Sequence, residues 1–144
     1  MGRRGAGIPT VTYVLDASAM IAFLRDEPGA GVVAEALLDS DSQCYAHVLN
    51  LCEVFYDFHR ASGREDALDA IADLARVGVV ADSNLSSEVW QAAGTLKAIL
   101  RRVSLADCFA IELADRLKAV LLTSDHHEFD VLAEQAAYRI QFIR

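Results

Sequence analysis

Four acidic residues have the type and setting to do chemistry: Asp16 in VLDASA, Glu53 in LNLCEVF, Asp107 in VSLADCFAIELA and Asp125 in VLLTSDHHEF. Each lies in or against strongly apolar sequence, where an ionised carboxylate is costly unless a cation or hydrogen bonds compensate it. Several such groups in one small chain suggest a site for a hard divalent metal ion, for which carboxylate oxygens are the natural ligands. Metal-dependent hydrolysis of a phosphodiester is therefore the leading expectation.

The elements that must position these acids can be read from hydrophobic periodicity and breakers. The pattern predicts strands at 11–15, 43–46, 79–81, 120–123 and 139–143. It predicts helices at 18–24, 29–39, 48–61, 64–77, 86–101, 104–117 and 129–136. Short strands separated by helices are the signature of an α/β fold, a parallel sheet between helical layers. Asp16 directly follows the first strand and Asp125 lies just beyond the fourth. Asp107 opens a helix that feeds the fourth strand, and Glu53 lies in the second turn of a helix leaving the second strand. All four are thus expected at the carboxyl edge of the sheet, where open α/β sheets bind ligands.

Each acid also has a plain structural reading. Asp16 reads as a cap for helix 18–24, and Ser104 with Asp107 as a capping box. Glu53 reads as a solvated helix residue and Asp125 as part of a turn. Ser62 with Glu65 makes a further expected capping box. Glu53 and Asp57, four apart on one helix face, repel without a cation, which favours metal near Glu53. His47 and His59 are expected to be structural, and Trp90 and Tyr56 to be core or interface residues.

Composition narrows the classes. The 144 residues fit a single domain over 11–144 preceded by a flexible tail over 1–10. No uncharged apolar run approaches a membrane span, and MGRRGAGIPT lacks the apolar centre of a secretory signal. Three cysteines without CxxC spacing suggest small buried thiols in a reducing, cytoplasmic setting. The net charge of −8 argues against broad nonspecific binding to nucleic acid, but leaves room for a nuclease whose metal restores positive charge locally. The cations are 11 arginines and 2 lysines. Lys97, Arg101 and Arg102 lead into the Asp107 motif and are candidates for RNA phosphate contacts; the alternative is an ordinary basic helix C-terminus.

On these motifs the chain resembles the PIN-domain ribonucleases, and among them the VapC-type toxins of type II toxin–antitoxin systems, over about Val11 to Arg144. Asp16-Ala17-Ser18 matches a D-x-S pattern, Asn50-Leu51-Cys52-Glu53 an N-x-x-E pattern, Leu105-Ala106-Asp107-Cys108 an L-x-D-A/C pattern, and Thr123-Ser124-Asp125, followed by Phe129, a T-x-D pattern. The resemblance implies an α/β/α sandwich with a parallel five-stranded sheet of order 3-2-1-4-5. It implies one or two Mg2+ or Mn2+ ions held by Asp16, Glu53, Asp107 and Asp125. Asp16 and Asp107 are expected to be the most direct ligands, Glu53 to orient the attacking water, and Asp125 to act through bound water. Ser18, Asn50 and Thr123 are expected to fix the carboxylate rotamers through hydrogen bonds. RNA as substrate, a cognate antitoxin and a homodimer with Trp90 near its interface are implied as partners. His126 and His127 receive no role. Rival readings are an aspartate-nucleophile phosphatase, which would favour D-x-D or D-x-T where this chain has Ser18; a receiver-like domain, for which VVADS is a poor match; and a PIN-like interaction module that cleaves nothing.

Overall fold

The computed structural model describes residues 11–144; the tail expected over 1–10 lies outside the described residues. Five strands form one wholly parallel sheet: β1 (Val11–Leu15), β2 (Ser42–His47), β3 (Val79–Asp82), β4 (Val120–Thr123) and β5 (Ile140–Phe142), in the order β3-β2-β1-β4-β5. This is the expected order. β1 lies at the centre, with Val14 opposite Tyr45 of β2 and Leu121 of β4. Both faces of a central parallel strand are covered, so its sequence, VTYVL, is apolar or β-branched at every position.

Seven helices cover the sheet: α1 (Ala17–Leu24), α2 (Ala30–Leu38), α3 (Val48–Ser62), α4 (Arg64–Arg76), α5 (Ser87–Ile99), α6 (Leu105–Leu117) and α7 (His126–Ala133). The side-chain alternation of the strands divides the core in two. Val14 and Leu121 face a cluster with Val89, Phe109, Leu113, Phe129 and Leu132 of α5, α6 and α7. Their neighbours Leu15 and Leu122 face the opposite cluster, with Met20, Val33, Val54 and Leu74 of α1 to α4. The structure is therefore an α/β/α sandwich. α6 is its most deeply set helix: Asp107, Cys108, Phe109, Ala110, Ile111, Leu113 and Ala114 are all buried. Asp107 rides on the least mobile kind of support a small fold offers.

Several local expectations are corrected. The Ser62–Glu65 capping box does not form. Ser62 is the last residue of α3, and Gly63, at φ 94°, both ends that helix and precedes α4 without a side-chain cap. A left-handed backbone at that junction makes Gly63, not a serine, the punctuation. α7 begins at His126 rather than 129, because Asp125 is its N-cap, and it ends at Ala133. Gly29 is required where α2 starts. Its φ is 97°, and a Cβ there would stand 2.7 Å from the Ile143 side chain and 2.8 Å from the Ile143 carbonyl oxygen. Cys44 and Cys108 are buried thiols, but Cys52 is exposed. Trp90 and Tyr56 are each 52% exposed, so neither is a core residue. Among the described residues no helix is long and apolar enough to cross a membrane.

Candidate active site

The carboxyl edge gathers the acids because strand ends and helix starts coincide there. Asp16 is the residue between β1 and α1 and is the N-cap of α1. Its Oδ1 accepts the Ala19 N–H at 2.9 Å and the Ser18 hydroxyl at 2.7 Å, while its Oδ2 accepts the Thr123 hydroxyl at 2.5 Å. The capping reading therefore holds, and the same side chain keeps the place at the sheet edge that a site would need. Ser18 and Thr123 are themselves anchored, by N–H donation from Ser124 and Asp125 respectively, each at 3.0 Å. β4, through Thr123, and the first turn of α1, through Ser18 and Ala19, thus clamp the Asp16 carboxylate in one rotamer. Burial nevertheless dominates these hydrogen bonds and, with the Asp125 charge, pushes the Asp16 pKa up to about 6.

Asp107 sits in the first turn of α6, whose N-cap Ser104 accepts the Asp107 N–H at 3.2 Å. Its own carboxylate Oδ1 accepts the Asn50 amide of α3 at 3.2 Å. Asp107 is 6% exposed. Burial first, then the charges of Asp16, Glu128 and Glu53, push its pKa up to about 9. Glu53, half-buried on α3, is raised by burial and then by the charges of Asp16, Glu128 and Asp125. Its Oε1 is buried with no hydrogen-bond partner among the described residues, as is the Asn50 Oδ1.

Asp125 accepts the Glu128 N–H at 3.0 Å as the cap of α7. Glu128 is the member that sequence reasoning missed. Three residues after a capping Asp, it reads as the back-bonding half of a capping box. In the structure the Asp125 N–H is already taken by Thr123, so Glu128 reaches instead across to α6 and accepts the Ser104 N–H at 2.5 Å. Carboxylate oxygens of Asp107, Asp125 and Glu128 all lie within 4.8 Å of one another. The Glu128 pKa is also raised, chiefly by burial. The spacing Asp125-x-x-Glu128 was the one available signal, since it puts both acids at the same helix start.

Other candidates are accounted for differently. The Lys97 ammonium donates to the carbonyls of Arg101 and Val103, at 3.1 and 2.9 Å, and ties the loop after α5. Arg101 and Arg102 are exposed, and Arg102 donates to the Nδ1 of His127, the neighbour of Glu128, at 3.1 Å. Asp57 does not report on metal near Glu53: Arg25 and Arg60 pair with it at 2.6 and 2.9 Å. Buried His47 caps α3, its Nδ1 accepting the Leu49 N–H, and its Nε2 lies 3.0 Å from the Asn84 carbonyl, so it is structural. Asp82, at the end of β3, is ion-paired to Arg116 and sits below its ordinary pKa range despite partial burial. That pairing leaves the acid after β3 no receiver-like freedom.

Five carboxylates with an all-oxygen donor set fit a hard divalent cation. Among the described residues no arginine or lysine forms an ion pair with any of them. The raised pKa values and the unpartnered Glu53 oxygen are the marks of a site short of positive charge. A cleft of about 240 Å³ lined by Ala114, Lys118, Tyr138 and Arg139 contains none of these acids.

The family model of the PIN domain matches residues 13–135. The chain belongs to the PIN-domain family. Its fold is similar to that of solved structures of low sequence identity. VapBC2 from Rickettsia felis, bound to a DNA fragment from their promoter, aligns with TM-score 0.69 and 16% identity over 92% of this chain and 98% of that one. VapBC-1 from nontypeable Haemophilus influenzae gives 0.68 and 21% over the same shares. VapC20 of Mycobacterium tuberculosis, a sarcin–ricin loop cleaving toxin, gives 0.67 and 13% over 88% and 98%. Sequence comparison with curated proteins gives no significant match.

Proposed function

We propose that this PIN domain is a metal-dependent endoribonuclease, the toxin of a VapC-type toxin–antitoxin pair. The observation that carries the reading is the group Asp107, Asp125 and Glu128, with Asp16 and Glu53 near enough to raise its charge cost, no paired cation among the described residues, and a buried, unpartnered Glu53 oxygen. Structural neighbours that are VapBC proteins, one of them cleaving the sarcin–ricin loop, support the biological half.

Asp16, Asp107, Asp125 and Glu53 would hold Mg2+ or Mn2+, with Glu128 completing the donor set. When bound, such an ion supplies positive charge at the scissile phosphate and lowers the pKa of attacking water. The chain's own residues do the positioning. Thr123, Ser18 and the Ala19 N–H fix both Asp16 oxygens, so this carboxylate needs no reorganisation when substrate arrives. Asn50 orients Asp107. Glu53, with one oxygen free of protein partners, is suited to accept a proton from water and align it. A cognate antitoxin, a homodimer and a cytoplasmic setting complete the proposal.

The test is cleavage of RNA in Mg2+ or Mn2+. EDTA should stop it. Asp16→Ala, Glu53→Ala and Asp107→Ala should each lower the rate by about 10²-fold or more, and Asp125→Ala by less. Undiminished cleavage by a folded Asp107→Ala protein would remove the mechanism.

A further inference from the structure

The carboxylate cluster repels the polyanion it is proposed to cut, so cations must lie beside it without neutralising it. The loop between α5 and α6 meets that requirement. Arg25, Arg60, Arg76, Arg116 and Arg144 are each ion-paired with a carboxylate. Arg101 and Arg102, like Arg64 and Arg139, form no ion pair among the described residues, and of these four they are the two in the loop that leads into Asp107, where Arg102 reaches His127 beside Glu128. Their loop is pinned from several sides. Val103 is buried, and its N–H donates to the Leu100 carbonyl. Lys97 holds the Arg101 and Val103 carbonyls, and Glu128 holds the Ser104 N–H. The pinning leaves the two arginines facing solvent. Arg102 is steadied by His127, which adjoins Glu128 in the first turn of α7, and the Arg101 side chain has no partner among the described residues.

We propose that Arg101 and Arg102 are the contact for the substrate backbone, taking phosphates of an RNA strand that leaves the acid cluster across the start of α7. This rests on the ribonuclease reading and assigns its substrate track. Lys97 is not part of the contact; it shapes the loop. A guanidinium suits the task because its planar fork meets phosphate oxygens two at a time.

The test is fluorescence anisotropy with a short mixed-sequence single-stranded RNA, using the Asp107→Asn protein to prevent cleavage. Adding Arg101→Ala and Arg102→Ala together should weaken binding about tenfold. It should also flatten the dependence of log affinity on log salt by about 0.7 for each lost contact. Arg76→Ala, which removes one charge in the segment before β3, should leave both unchanged. In wild-type background the paired arginine changes should leave the Mn2+-induced rise in Tm intact. Unaltered RNA affinity and slope in the paired variant, or an equal loss in Arg76→Ala, would overturn the assignment while wild-type cleavage keeps the ribonuclease reading. A wild type that neither binds nor cleaves RNA would overturn both.

Discussion

The Asp107 carboxyl is held toward its neutral form by burial and by neighbouring acids, and it makes the sharpest prediction. Its folded-state pKa, about 9, lies far above the ordinary value of 3.8, and that of Asp16 lies at about 6. The folded protein therefore holds these protons more tightly than the unfolded chain. Stability that is fully present below the unfolded pKa is lost as pH rises, through about 6 for Asp16 and about 9 for Asp107. Without metal, Asp107→Asn should raise Tm, by about 5 °C or more near pH 8.5 and by much less near pH 5. Asparagine keeps the shape and can still meet Asn50. Mg2+ or Mn2+ should raise the wild-type Tm by mass action, most at high pH, and Asp16→Asn with Asp107→Asn should abolish that rise. Thermal melts in EDTA and in metal across this range check it; an Asp107→Asn effect independent of pH would sink the account. Asp107 was legible in the sequence because its apolar neighbours Cys108, Phe109 and Ala110 advertise burial. The size of its cost was not, because it is set first by how completely the folded chain buries the carboxyl and then by acids up to 91 residues away, such as Asp16.

At the scale of elements, α6 and α7 start side by side, and Glu128 latches them. Its carboxylate accepts the Ser104 N–H while its own N–H donates to the capping Asp125 carboxylate. Glu128→Gln keeps an acceptor for Ser104 and removes a charge, so the metal-free protein should lose little stability, while its Mn2+ affinity should fall about tenfold. Glu128→Ala removes the latch as well and should cost about 1–3 kcal/mol, because the Ser104 N–H loses its partner. Calorimetry of Mn2+ binding and denaturant unfolding of both variants separate the two roles; equal stability losses with unchanged metal affinity would make the latch purely structural. The sequence disclosed strands and helices to within a few residues, since the apolar runs VTYVL and VLLT and the breakers around Gly29 and Gly63 act locally. Misread features depended on competition between partners. Ser62 yields to a left-handed Gly63, Glu128 is diverted to α6 because Thr123 already serves Asp125, and Asp57 is claimed by Arg25. No single-residue signal announces which donor reaches an acceptor first.

For the whole molecule, the charge of −8 and the unpaired acids at one edge describe a surface that seeks a cation. The proposed antitoxin is expected to present an arginine or lysine to Asp16, Glu53, Asp107 and Asp125, with an apolar stretch along α2 and α3. Its inhibition should compete with Mg2+ or Mn2+ and weaken as salt screens the contact. Titration against wild type and against Asp16→Asn with Asp107→Asn measures this; equal affinity for both, indifferent to metal and salt, would place the inhibitor elsewhere. The strand order has a consequence of another kind. Asp16 lies near the start of the described chain, yet Thr123, Asp125 and Glu128, which complete its surroundings, come more than 100 residues later, on and after a β4 that must insert beside β1. A nascent polypeptide whose β4 is still inside the ribosomal tunnel has Asp16 and Glu53 but no closed cluster. For a protein proposed to cut RNA, folding and arming are then one event, and the ribosome that makes the chain is spared until β4 has left the tunnel and paired with β1.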